Sequence, residues 1–136
     1  MESLWSVYHQ DIPPFLLQLA AAAPMQRLRQ VGMNCGCEYT SFPRFRRLPS
    51  YSRYDHSLGV GLIVWHFTGD AAQAAAGLLH DVATPVFAHT VDFLQGDHLH
   101  QESTEGPTAA LISASKEIRA VLEACGIAVE DVWDYH

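Results

Sequence analysis

The run Ala71 to Leu79, followed by His80-Asp81 and then by Pro85, constrains this chain more than any other stretch. Alanine and leucine, the strongest helix formers, dominate it, and Pro85 forbids the helix from continuing. Two ionisable side chains therefore arrive where an apolar helix stops. A carboxylate there faces the negative end of the helix macrodipole, an unfavourable place unless a cation lies close by. A bound metal ion would relieve the conflict, and imidazole with carboxylate is a donor set that suits zinc, manganese and iron. The dipeptide alone is equally compatible with a solvated Asp81 beside a partly buried His80, so a metal site needs ligands from elsewhere.

A partner stretch lies upstream, at Tyr51-Ser52-Arg53-Tyr54-Asp55-His56-Ser57-Leu58-Gly59-Val60-Gly61. The pattern predicts a helix from about Arg53 to Thr68, with Val60, Ile63 and Phe67 at helical spacing from His56 and facing the core. His66 falls off that stripe and is expected at the surface. Gly59 and Gly61 permit a close helix approach, and Asp70 is placed to cap the helix that carries His80-Asp81. The two helices are expected to pack together, and two imidazoles whose nitrogens lie 2.0–2.2 Å from one shared ion come within about 4 Å of each other.

The blocks Arg53-Tyr54-Asp55-His56-Ser57-Leu58-Gly59 and His80-Asp81 through Phe87-Ala88-His89 resemble the HD-domain metal-dependent phosphohydrolases. They are most similar to the branch containing the deoxynucleoside-triphosphate triphosphohydrolases, whose blocks read R-F-E-H-S-L-G and H-D-x-x-H-x-P-F-S-H. Thr84 departs from that pattern by standing where the family has an intermediate histidine. The resemblance covers roughly residues 25 to 130. It implies an all-α HD-domain helical bundle, with residues 1–24 as a lead-in and helix and 25–136 as the HD domain. The expectation is that this is the N-terminal part of a longer domain.

The same resemblance implies His56, His80 and Asp81 as ligands of a divalent ion (Mn, Fe, Zn, Ni or Mg). The family's fourth ligand is a later Asp, here Asp131 or Asp134 by type, or a residue beyond His136. Arg53 and His89 are the implied phosphate contacts, and Gln30, in Gln30-Val31-Gly32 against the family's Q-L-G, the nucleoside contact. His100, in His100-Gln101-Glu102-Ser103 against H-E-x-x-S, is the implied acid that protonates the leaving oxygen, with His98 a competitor. Asp55 is expected to hold an arginine or histidine in place. The function implied is a metal-dependent phosphohydrolase acting on a nucleotide or another phosphate ester. The alternative is a catalytically degenerate HD module that binds metal or nucleotide in a regulatory role.

Charge patterning fits a phosphorylated substrate. Six arginines (Arg27, Arg29, Arg44, Arg46, Arg47, Arg53) against Glu38 give residues 27–53 a charge of +5, leaving −12 to the rest of a chain whose total is −7. Guanidinium forks match phosphate oxygens, whereas an acidic chain makes extended duplex binding less favourable than binding a small anion. A solvated basic loop remains the alternative for that strip. Three cysteines make no convincing disulfide framework, so the cytoplasm is the expected compartment. Phe15 to Ala23 imitates a signal-peptide core but lacks a basic lead-in and is too short to span a bilayer. It reads as a buried helix that Pro24 punctuates. Self-association is compatible with the sequence and not specified by it.

Overall fold

Pro13 and Pro14 open the first helix, α1 (Pro14–Ala21), in the computed structural model, which describes residues 4–34, 37–49, 51–86 and 105–133. The break after α1 falls at Ala22, with ψ 143, and Pro24 occupies the first turn of α2 (Ala23–Arg27) instead of ending a helix. A helix running through Pro24 would drive its ring into the Ala20 carbonyl; within a first turn its missing N–H costs nothing. That carbonyl instead accepts from Gln26 Nε2 at 2.6 Å. Leu16, Leu19 and Ala20 of α1 are buried, as the apolar run requires.

After a 3-10 turn at Leu28–Gln30 the chain leaves for an exposed excursion and returns beside its starting point. Met33 N donates to Tyr51 O at 3.1 Å and Arg53 N donates to Val31 O at 2.7 Å, closing the neck. The excursion is less irregular than its prolines suggest, with 3-10 turns at Cys37–Tyr39 and Pro43–Phe45. Its closure delivers Ser52 as the cap of α3 (Arg53–Thr68). Ser52 and Asp55 form a capping box: Asp55 N donates to Ser52 Oγ, and Ser52 N donates to Asp55 Oδ2. Asp55 thus fixes the start of α3, and among the described residues it holds no arginine or histidine, contrary to expectation.

Gly69, at φ 62, ends α3, and Asp70 caps α4 (Ala71–Leu79) by accepting from Gln73 N at 3.0 Å. So short a connection folds α4 back antiparallel along α3. Glycines set the depth of contact. A Cβ on Gly61 would lie 3.0 Å from Leu78 Cβ and 3.2 Å from the Ala74 carbonyl; one on Gly77 would lie 3.2 Å from Val64 Cγ2. Gly59 serves a different neighbour, the ring of Tyr8, which packs the N-terminal lead-in onto α3.

The buried face of α3 is Tyr54, Ser57, Leu58, Gly61 and Leu62. This corrects the stripe expected through Ile63 and Phe67, which are 42% and 81% exposed. Helical spacing fixes which residues share a face, but two rows of α3 are apolar and only packing decides which one is covered. His56 consequently lies at the margin of the core, half-buried.

Among the described residues the remaining helices are α5 (Glu105–Ala114), α6 (Lys116–Ala124) and α7 (Glu130–Trp133). Gly126, at φ 68, stops α6: Gly126 N donates to Glu123 O and Ile127 N to Leu122 O, a Schellman closure. Ile127 is buried in that turn, so the last helix starts later than the apolar pattern from Ile127 suggests. α4 is central, packed by α3, α1 and α7, and one core joins α1 to the rest. The chain is an all-α bundle; no strand occurs among the described residues, and no helix among them is long and apolar enough to cross a membrane. The helix expected from Val86 to Leu94 lies, except for Val86, outside the described residues.

Gly61→Ala tests the close approach of α3 and α4. Overpacking costs roughly 1–3 kcal/mol and the gain in helix propensity returns up to ~1 kcal/mol. Urea denaturation should show a net loss of about 1–2 kcal/mol; a gain would mean that the helices separate at no cost.

Candidate metal centre

The antiparallel register that sets Gly61 against Leu78 carries the first turn of α3 to the end of α4. His56 and His80 meet there, with ring centroids 5.2 Å apart and planes inclined at 67°. Asp81 stands between them: its Oδ2 lies 3.4 Å from His80 Nε2 and 3.8 Å from His56 Nε2. One donor atom from each of the three falls within 4.8 Å of the others, and this is the metal-competent group found among the described residues. The ring centroids are 5.2 Å apart and one donor atom of each imidazole lies within 4.8 Å of the other, so the two rings converge on one point as a shared ion requires.

His80 is oriented by its own helix. Its Nδ1 lies 2.7 Å from the Gly77 carbonyl, which can only accept, so Nδ1 carries a proton and Nε2 is the nitrogen turned toward Asp81. A hydrogen bond at the far nitrogen is the usual way a ligating imidazole is fixed. The donor set, two imidazoles and a carboxylate at a half-buried edge, fits a divalent transition ion.

The carboxylate is not the unpaired group that its place after α4 suggests. Arg53, the first residue of α3, donates from Nη1 to Asp81 Oδ2 at 2.6 Å, with side-chain exposures of only 5% and 13%. Thr84 Oγ1 donates to Asp81 Oδ1 at 3.1 Å. Each charge sits at the unfavourable end of its own helix and the favourable end of its neighbour's, since α3 begins where α4 ends. Burial pushes the Asp81 carboxyl up, but His80, Arg53 and the hydrogen bonds from Arg53 and Thr84 outweigh it and hold the group below its ordinary value. Burial, then the charge of His80, lowers His56, with Arg53 adding to the effect and Asp81 opposing it.

Arg53, the expected phosphate contact, is buried and paired with Asp81, with its Nε and the Ser57 hydroxyl lacking hydrogen-bond partners among the described residues. Gln30 is exposed, in the 3-10 turn beside the neck of the excursion. Asp131 is exposed on α7 and does not join the group of ligands. His89, His98, His100 and Asp134 lie outside the described residues. The basic strip divides in two. Arg27 Nη2 donates to the carbonyls of Val82 and Thr84, both at 2.9 Å, and Arg29 stacks 3.8 Å over the Tyr54 ring. Arg44, Arg46 and Arg47 are exposed on the excursion.

Sequence reasoning missed Arg27 and Thr84 as parts of the site. Thr84, three residues after Asp81, follows the spacing at which a hydroxyl reaches back to a carboxylate in a turn, a signal that the sequence does carry. Arg27 left none, because its partners are backbone carbonyls 55 and 57 residues away.

No family model and no solved structure matches the chain. Curated proteins similar to it include "Uncharacterized protein YdhJ" of Bacillus subtilis (strain 168), 33% identical over 99 residues that cover 70% of this chain and 29% of that protein. They also include "Deoxynucleoside triphosphate triphosphohydrolase SAMHD1" of Gallus gallus, 25% identical over 144 residues that cover 90% of this chain and 23% of that protein. The chain thus spans between a quarter and a third of the first relative and under a quarter of the second.

Asp81→Ala strands a buried guanidinium, so it should cost about 3–5 kcal/mol at pH 7 in chelator, contrary to the small loss expected of an unpaired carboxylate. Because the folded state lowers the Asp81 pKa, its stabilising contribution is complete above the unfolded value of 3.8 and is lost as pH falls through the lower folded value. Denaturant melts of parent and variant should therefore converge below about pH 4. An equal gap at pH 7 and pH 3 would contradict the pairing.

Proposed function

We propose that this chain is a metal-dependent phosphohydrolase module of the HD-domain type, acting on a nucleotide or another phosphate ester. The observation that carries the reading is the convergence of His56, His80 and Asp81 from the two resembling blocks onto one point. The similarity to a deoxynucleoside triphosphate triphosphohydrolase supports it independently. His56 and His80 would hold the ion through imidazole nitrogens and Asp81 would supply the anionic ligand. A divalent ion bound there supplies Lewis-acid activation of water and of a phosphoryl oxygen. His89 would carry phosphate charge and Gln30 would contact the nucleoside. His100 would give a proton to the leaving oxygen, work for which imidazole has a suitable pKa, with His98 in the same stretch as the competitor.

One observation favours a regulatory, non-catalytic module as the second reading. The described residues bring three ligands together, and both oxygens of the carboxylate among them already accept hydrogen bonds. A catalytic ion needs that carboxylate and an open position.

Release of triphosphate or phosphate from deoxynucleoside triphosphates and of phosphate from simple esters, measured with added Mn²⁺ or Co²⁺, separates the two. His56→Ala and His80→Ala should remove both bound metal and turnover. His100→Ala should keep metal and lower turnover by roughly 10²–10⁴-fold, with little change in the affinity of an unreactive analogue. Metal binding without release of triphosphate or phosphate from any of these compounds would leave the regulatory reading standing and remove the catalytic one.

A further inference from the structure

The Arg53–Asp81 pair occupies the place where the metal reading needs a free ligand. Asp81 Oδ2 is the oxygen nearest both imidazoles, and it is also the oxygen that takes Arg53 Nη1 at 2.6 Å. The guanidinium is almost wholly enclosed, yet its Nε has no partner among the described residues. A guanidinium that forks over both oxygens of a carboxylate forms the stronger and more permanent pair. Here Thr84 holds the second oxygen, Oδ1, and Nη1 makes the contact with Oδ2. Asp81 is thereby charge-paired and aimed, while Oδ2 stays turned toward His56 and His80.

We propose that Arg53 is the internal counter-cation of this site: it holds Asp81 oriented without metal, and an entering divalent ion has to share Oδ2 with it. The inference rests on the metal-site reading above and adds the regulation of that site. Arg53 then acts in two opposed ways. It preserves the geometry of the ligands, because its hydrogen bond holds Oδ2 at the point nearest both imidazoles. It also weakens the ion, because a guanidinium on the ligand oxygen withdraws electron density and repels a second positive charge a few ångströms away. Arg53 is on this account a positioning residue whose effect reaches the ion through Asp81.

Titration of the 136-residue chain with Co²⁺, followed by calorimetry and by visible absorption, tests this. Arg53→Met, which keeps an apolar stem and removes the charge, should bind Co²⁺ more tightly than the parent by on the order of tenfold or more. Arg53→Gln, neutral but still a donor to Asp81, should also bind more tightly and stands in if Arg53→Met does not fold. Arg53→Lys, which restores a cation, should return affinity toward the parent's. Thermal melts should show the neutral variants destabilised in chelator and raised by Co²⁺ more than the parent is. Unchanged or weaker Co²⁺ binding by both neutral variants, with binding by the parent abolished in His56→Ala, overturns this proposal alone. Failure of the parent to bind Co²⁺ at all overturns the metal-site reading and this proposal with it.

Discussion

The closeness of α3 and α4 is the constraint on which the site depends. Gly61 lets the Leu78 side chain and the Ala74 carbonyl approach to distances that any Cβ would obstruct, and Gly77 does the same for Val60 and Val64. The two contacts fix the antiparallel register, and the register determines which residues at the open end face one another. Moving one helix along the other by a turn, about 5.4 Å, would separate His56 from His80-Asp81 entirely. Two helices of unremarkable composition thus hold a three-residue group because small residues occur where they cross.

Electrostatics then decides what that end of the hairpin tolerates. An arginine opening one helix and an aspartate closing the other are each misplaced with respect to their own macrodipoles. Antiparallel packing makes both placements favourable, because each charge then faces the complementary end of the neighbouring helix. The pair is buried, so its worth lies less in net stability than in the cost of breaking it, since either partner left alone would be an uncompensated charge. Arg27 extends the arrangement by gripping the carbonyls of Val82 and Thr84, which steadies the turn from which Thr84 reaches back to Asp81. Asp81 is in this way fixed from three elements at once.

The basic strip shows why charge counts need a structure. Its +5 looks like a phosphate-binding surface, but Arg27, Arg29 and Arg53 are committed to a turn, an aromatic ring and a carboxylate. Arg44, Arg46 and Arg47 remain on the exposed excursion, which is tied at its neck and leads directly into the Ser52–Asp55 capping box. Closing that neck matters to the site, because it sets where α3 begins and therefore where Arg53 and His56 point.

Local chemistry made much of this chain legible. Helix propensity, the cap at Asp70 and the break at Pro85 act over a few residues, so the bounds of α3 and α4 and the all-α class follow from the sequence. His56, His80 and Asp81 were also legible as candidates, through the pattern of the two blocks. Tertiary structure alone decided that Ile63 and Phe67 face outward, because periodicity identifies faces without saying which will be covered. It alone paired Arg53 with Asp81 and Arg27 with two carbonyls, because those bonds join residues 28 and more than 50 positions apart. No propensity or spacing encodes such contacts: they exist only once α3 and α4 have packed and a low-dielectric interior makes an unpartnered charge too costly to leave.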